Sequence, residues 1–262
     1  MGKIIARYSL SMRFSTLQNL SAIPTAFRWM VRHRGLVLSL ALVWAVLKTL
    51  APLAQMRVGI PDNLLMTMTI DMVFTLPVVF YFLPMLLAYV DAVHNRHPAN
   101  PLQDWHKTFE SRWLVAAGAQ VFLHVLACLG FIALFLPGLV VYLFLGWMPT
   151  YALLRGGSIQ HATRWSVRIM AQEWRRVILA VLPIFAIYFV AILGVILFLG
   201  HALAHWKTEP TLWLRFRHPY FWISAFVSGV ANIWLSLALL ALFHRLENEA
   251  MLKSEDPDQR RK

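Results

Sequence analysis

The sequence predicts an all-α, polytopic membrane protein of about six transmembrane helices with interfacial amphipathic helices between them. Three observations carry that expectation. Hydrophobic residues make up 59% of the 262 positions and charged residues only 14%, against roughly 25% charged in a soluble domain. The apolar residues fall in long blocks divided by short charged stretches, the pattern of spanning helices. The net charge of +12 flanks those blocks, so it reads as membrane-surface anchoring and not as a nucleic-acid face. The lone Cys128 lies inside an apolar block, where a cysteine packs as a small hydrophobe.

The predicted domains are a basic N-terminal segment with an interfacial helix (1–34), a six-helix membrane domain (35–244) and a charged tail (245–262) that frays. No continuous apolar run precedes Gly35, so the first block reads as a retained span and not a secretory signal. The predicted spans are 35–55, 64–90, 113–136, 138–154, 177–201 and 220–244. Each can cross about 30 Å of hydrocarbon at about 1.5 Å per residue. The stretch 113–154 is too long for one span, and Pro137-Gly138 interrupts it. Proline disfavours the preceding turn and glycine permits reversal, so a helical hairpin is expected there. The competing arrangement is a long span followed by a re-entrant segment. Charge placement chooses between them. With six spans and both termini inside, nineteen of the 24 Lys and Arg fall on the inner side and four on the outer. The re-entrant arrangement would put Arg155, Arg164, Arg168, Arg175 and Arg176 outside, against the positive-inside rule.

Three amphipathic stretches join the spans. Residues 21–34 set Phe27, Trp29, Met30 and Val31 among Arg28, Arg32 and Arg34. Residues 100–112 include Trp105 and Phe109 among charges, with Trp113 directly after them. Residues 157–175 place Ile159, Ala162, Trp165, Ile169 and Met170 on one helical face and Arg164, Arg168 and Arg175 on another. The last predicts a basic helix on an anionic inner leaflet, or a plain cytoplasmic loop helix. Membrane lipids are therefore the expected partner, together with a possible partner membrane protein.

The run FLPGLVVYLFLGWMPTYALLRGGSIQHATRWSVRIMAQEWRRVI carries a resemblance. It is similar to a pattern in YciC-type bacterial inner membrane proteins, a family of uncharacterised function. The same pattern occurs in the membrane domains of some glycerophosphodiester phosphodiesterases. It consists of a Pro-Gly hairpin, a span, and an amphipathic segment leading into the next span. Pro137-Gly138 matches the hairpin, and Ala162, Ser166, Arg168 and Ile169 match the amphipathic segment. Val167, Thr163 and Trp165 depart from it. The closing run VANIWLSLALLALF also resembles that of the YciC-type proteins. The resemblance implies a multi-pass protein of the bacterial inner membrane. It implies no phosphodiesterase activity, because no such catalytic domain is present.

Candidate functional residues follow from polar groups inside the spans. Lys48 and Asp71 each lie seven residues from the outer border of their spans, roughly 10 Å deep. A lone charge there is costly, so an intramembrane ion pair is expected. It could be structural, or a proton- or ion-coupling site; Lys48 could also snorkel outward. Ser224, Ser228, Asn232 and Ser236 recur every four residues as a polar seam on span six, and Gln120 and His124 are four apart on span three. These predict either interhelical packing or a polar pathway. His201 and His205, followed by Glu209 and His218, and separately Asp91, His94 and His97, have metal-like spacings without a metalloprotease glutamate. No phosphate-binding glycine loop or dinucleotide fingerprint occurs. Gly157-Ser158 lacks the second glycine of a nucleophile elbow, and Asp71 is the only acid well inside a span. The expectation is therefore a non-enzymatic membrane protein without cofactor, catalytic or metal residues, acting in envelope or membrane homeostasis through lipid or partner contact. The alternative is a transporter or channel for a small solute or lipid.

Overall fold

The computed structural model describes residues 21–58, 70, 73–96, 101–133, 135–204 and 219–255. Among these the chain is helical throughout, without strands. We label the helices α1 (Ala22–Arg32), α2 (Arg34–Val58), α3 (73–96), α4 (Pro101–Ala133), α5 (Phe135–Leu145), α6 (Met148–Arg155), α7 (Ile159–Ala204) and α8 (Pro219–Glu255). In α3 the stretches Val78–Phe82 and Ala92–Arg96 are π-helical. Four segments are long and apolar enough to cross a membrane: Arg34–Ala51, Val73–His94, Ile159–Phe198 and Pro219–Asn248. They correspond to predicted spans one, two, five and six.

The chain forms two compact units. Of the described residues, the first contains those within 21–28, 87–184 and 237–255; the second contains those within 29–86 and 185–236. In the first unit α4 packs along α5 and α6. The helix break falls before Pro137-Gly138: α4 ends at Ala133 and α5 begins at Phe135. Pro137 occupies the first turn of α5, where a missing N–H leaves no bond unmade. Gly138 serves the crossing: a Cβ on Gly130 would lie 2.7 Å from the Gly138 nitrogen.

Predicted span four, 138–154, is not one helix. It divides into α5 and the shorter α6, with a turn at Gly146-Trp147. Pro149 is the reason. It has no N–H to give the Leu145 carbonyl, and its ring crowds that same carbonyl. The predicted amphipathic segment and span five instead join as one long helix, α7. They meet at Glu173, whose backbone leaves the helical region (φ −126°, ψ 20°). The tail 245–262, expected to fray, is helical as far as Glu255, and Leu246 is buried. At 37 residues, α8 is roughly 55 Å long, well beyond a hydrocarbon core.

In the second unit α2 and α8 approach closely. Trp44 Cβ and Ala41 Cα stand 3.1 and 3.3 Å from where a Cβ on Gly229 would be. Small residues at such a crossing let helices pack without a hydrophobic driving force between them. Tyr188 of α7 donates its hydroxyl to Asn232 Oδ1 of α8 at 3.1 Å.

Candidate functional site

The densest polar constellation among the described residues lies in the first unit and joins three helices. Asp91 closes the α-helical part of α3, Arg155 is the last residue of α6, and His244 and Glu247 are one turn apart on α8. Arg155 and Glu247 form a two-pronged pair. Nε donates to Oε1 and Nη2 to Oε2, both at 2.5 Å. Arg155 Nη1 also stands 3.6 Å from Asp91 Oδ2. The other oxygen of Asp91 faces His244 Nε2 at 3.3 Å, and His244 Nδ1 is 4.0 Å from Glu247 Oε2. The side chains of Asp91, His244 and Glu247 are 2%, 10% and 13% exposed. Buried charges of this kind persist because they are paired.

Aromatic side chains support the cluster from beneath. The Arg155 guanidinium lies 5.9 Å from the centre of the Phe243 ring. Phe243 is fully buried and packs on Trp165 at 5.2 Å and Trp147 at 6.5 Å. Tyr151 stacks on Trp165 at 4.7 Å, and its hydroxyl is 3.1 Å from His161 Nε2. The placement of Arg155 depends on how α6 ends. Arg112 Nη1 donates to the Leu154 carbonyl at 2.7 Å, satisfying a terminal acceptor and setting positive charge at the helix C-terminus. Gly156 follows at φ 76°, and a Cβ there would lie 3.0 Å from Arg112 Nε. Ser166 of α7 donates to the Phe144 carbonyl at 2.6 Å, a terminal acceptor of α5. At the break before Pro149, a side chain of α7 thus satisfies an acceptor left at the end of α5.

The basic helix has a specific orientation. Ala162, Ser166, Ile169 and Met170 are buried, so its apolar face packs into the protein and not into lipid. Arg164, Arg168 and Arg175 are exposed on the other side, and the Arg175 guanidinium stands 5.3 Å from the Trp174 ring centre.

The polar groups inside predicted spans turn back on their own helices. Ser224 donates to the Tyr220 carbonyl at 2.7 Å, Asn232 to Ser228 at 2.8 Å and Ser236 to Asn232 at 2.9 Å. His124 Nδ1 lies 2.7 Å from the Gln120 carbonyl and 3.4 Å from the Gln120 amide nitrogen. The His124 ring meets Tyr142 edge-on across the hairpin at 5.9 Å. Lys48 is half-buried on α2. Asp71, its expected partner, lies outside the described residues, as do His97, His205, Glu209, His218 and the side chain of His201.

Sequence spacing groups Asp91 with His94 and His97, but the partners that define its site are Arg155 and His244. Spacing within one segment could not show this, because the cluster comes from three segments. A signal was present all the same. Asp91 and Arg155 open the predicted inner segments 91–112 and 155–176, and Glu247 is near the start of 245–262. No protein-family description, curated protein or solved structure matches the chain.

Proposed function

We propose that this is a six-span, non-enzymatic protein of the bacterial inner membrane, with both termini inside. It acts in envelope or membrane homeostasis by holding anionic lipid headgroups on its inner basic surface. The observation that carries the reading is the orientation of the first part of α7: Arg164, Arg168 and Arg175 are exposed while the opposite face is locked into the protein. A helix held in this way presents fixed positive charge and cannot roll its arginines inward.

The topology has its own support. Asp91, Arg155 and Glu247 come from three different predicted inner segments, and they meet. That is what six spans with inner termini require of the inner ends of spans two, four and six. The resemblance to YciC-type proteins agrees with it. In span six, hydrogen bonding to carbonyls of the same helix favours packing over a solute pathway.

The test is thermal stability of the purified protein in nanodiscs of phosphatidylcholine with increasing phosphatidylglycerol. An anionic surface contributes about 1 kcal/mol per arginine close to it, so melting temperature should rise with the anionic fraction. The triple variant Arg164→Gln, Arg168→Gln, Arg175→Gln should lose most of that rise. An equal rise in the triple variant, or none in the wild type, would rule the reading out.

A further inference from the structure

The row of exposed side chains on α7 does not end with its arginines. Beyond the backbone break at Glu173, Arg175, Leu179 and Leu182 follow at spacings of four and three, so they share one face of the helix. Leu179 is 55% exposed and Leu182 64%, within the segment Ile159–Phe198 that is long and apolar enough to cross a membrane. Bare leucines on such a segment are matched by acyl chains, which are equally apolar. Arg175 stands at the head of this row, one turn from Leu179. Its guanidinium lies 5.3 Å from the centre of the Trp174 ring, and Trp174 is itself 49% exposed. Stacking on an indole orients a guanidinium and leaves its charge whole. The adjacent carboxylate of Glu173 faces Arg176 at 3.3 Å, and among the described residues Arg175 has no carboxylate partner. Tryptophan and arginine followed by bare leucines is the order of groups met on passing from headgroups into hydrocarbon.

We propose that Trp174, Arg175, Leu179 and Leu182 form the binding site of one anionic phospholipid. Arg175 takes the phosphate, Trp174 lies beside the glycerol backbone, and the acyl chains run along Leu179 and Leu182. Leu182 lies about 10 Å from Arg175 along the helix, roughly a third of a hydrocarbon core. Both leucines therefore stay within the leaflet to which the phosphate belongs. The site rests on the reading of α7 as a helix with its arginines at the inner leaflet. What it adds is an occupant: a whole lipid held at both ends, in place of headgroups gathered evenly by net charge. A soluble phosphate would meet the guanidinium but leave the leucines uncovered.

The experiment is native mass spectrometry of the full-length protein in an uncharged detergent, titrated with phosphatidylglycerol or with phosphatidylcholine. The wild type should take up one phosphatidylglycerol ahead of any other, and in preference to phosphatidylcholine. Arg175→Gln should lower that first occupancy about fivefold, the effect of one arginine at an anionic surface. Trp174→Leu keeps every charge and should lower it about two- to fivefold through loss of the cation–π contact. Arg164→Gln, eleven residues away and beyond the break, should lower it less than about twofold, because screening confines an exposed charge to its surroundings. All three side chains are exposed, so the variants should fold as the wild type does. Inorganic phosphate in excess should not displace the lipid.

Equal losses in Arg164→Gln and Arg175→Gln, or full occupancy in Trp174→Leu, would overturn the site and leave the headgroup reading standing. Displacement by inorganic phosphate would make the occupant a soluble anion and overturn it as well. No preference for phosphatidylglycerol in the wild type would remove the site and the headgroup reading together.

Discussion

The two units handle buried polarity in opposite ways. In the second unit, Ser224, Asn232 and Ser236 return their hydrogen bonds to carbonyls one turn back on the same helix. Tyr188 adds a single bond from α7. In the first unit, Arg155, Glu247, Asp91 and His244 depend on three helices for their partners. A self-satisfied polar residue costs little wherever its helix goes. A charge shared among helices is tolerable only when all of them are in place. The second unit is thus held by close packing at Gly229, and the first by charge pairing over aromatic rings.

This contrast can be broken most sharply at Arg155. Arg155→Met leaves the carboxylates of Glu247 and Asp91 together and without their guanidinium. Loss of one partner of a buried pair costs about 3–5 kcal/mol, measurable as a lowered midpoint in denaturant unfolding. Arg155→Met combined with Glu247→Leu should be less damaging than Arg155→Met alone, because the double variant removes one of the two stranded charges. A double variant worse than the single would mean that the pair does more than neutralise itself.

Gly130→Ala probes the hairpin. The added methyl would meet backbone atoms of Pro137 and Gly138 within 3.0 Å, and backbone cannot swing aside. Overpacking of this kind costs about 1–3 kcal/mol. An unchanged melting temperature would show that α4 and α5 can separate without penalty. The polar seam should respond far less. Asn232→Leu removes the bond from Tyr188 and should cost about 0.6 kcal/mol, the average for an interhelical hydrogen bond in a membrane. A loss as large as that at Arg155 would give the seam an energetic role its geometry does not suggest. The smallest effect is expected on the outer face of α7, where Arg168→Gln should change stability by less than about 0.5 kcal/mol in uncharged lipid.

Much of the architecture is legible in the residues. The blocks at 35–55, 177–201 and 220–244 announce themselves by length and scarcity of charge, because hydrocarbon disfavours charge over that distance. The boundary between the basic helix and span five is readable too, since polarity changes near Glu173 where the helix kinks. The division of 138–154 was also in the sequence, at Pro149, but the apolar composition of the segment masked it. Span prediction weighs hydrophobicity, whereas the helix broke for want of one N–H.

Composition and charge order determined that this chain is all-helical, where it is apolar enough to cross a membrane, and which segments carry the basic charge. Those properties are local, because each residue's transfer to hydrocarbon is decided by its own side chain. Tertiary structure alone decided which charges meet. Asp91, Arg155 and Glu247 are separated by 64 and 92 residues, and an ion pair depends on distance in space. It likewise decided that the apolar face of the basic helix turns toward Phe243 and Tyr151. A hydrophobic stripe specifies that it must be covered, and the neighbouring helices determine by what.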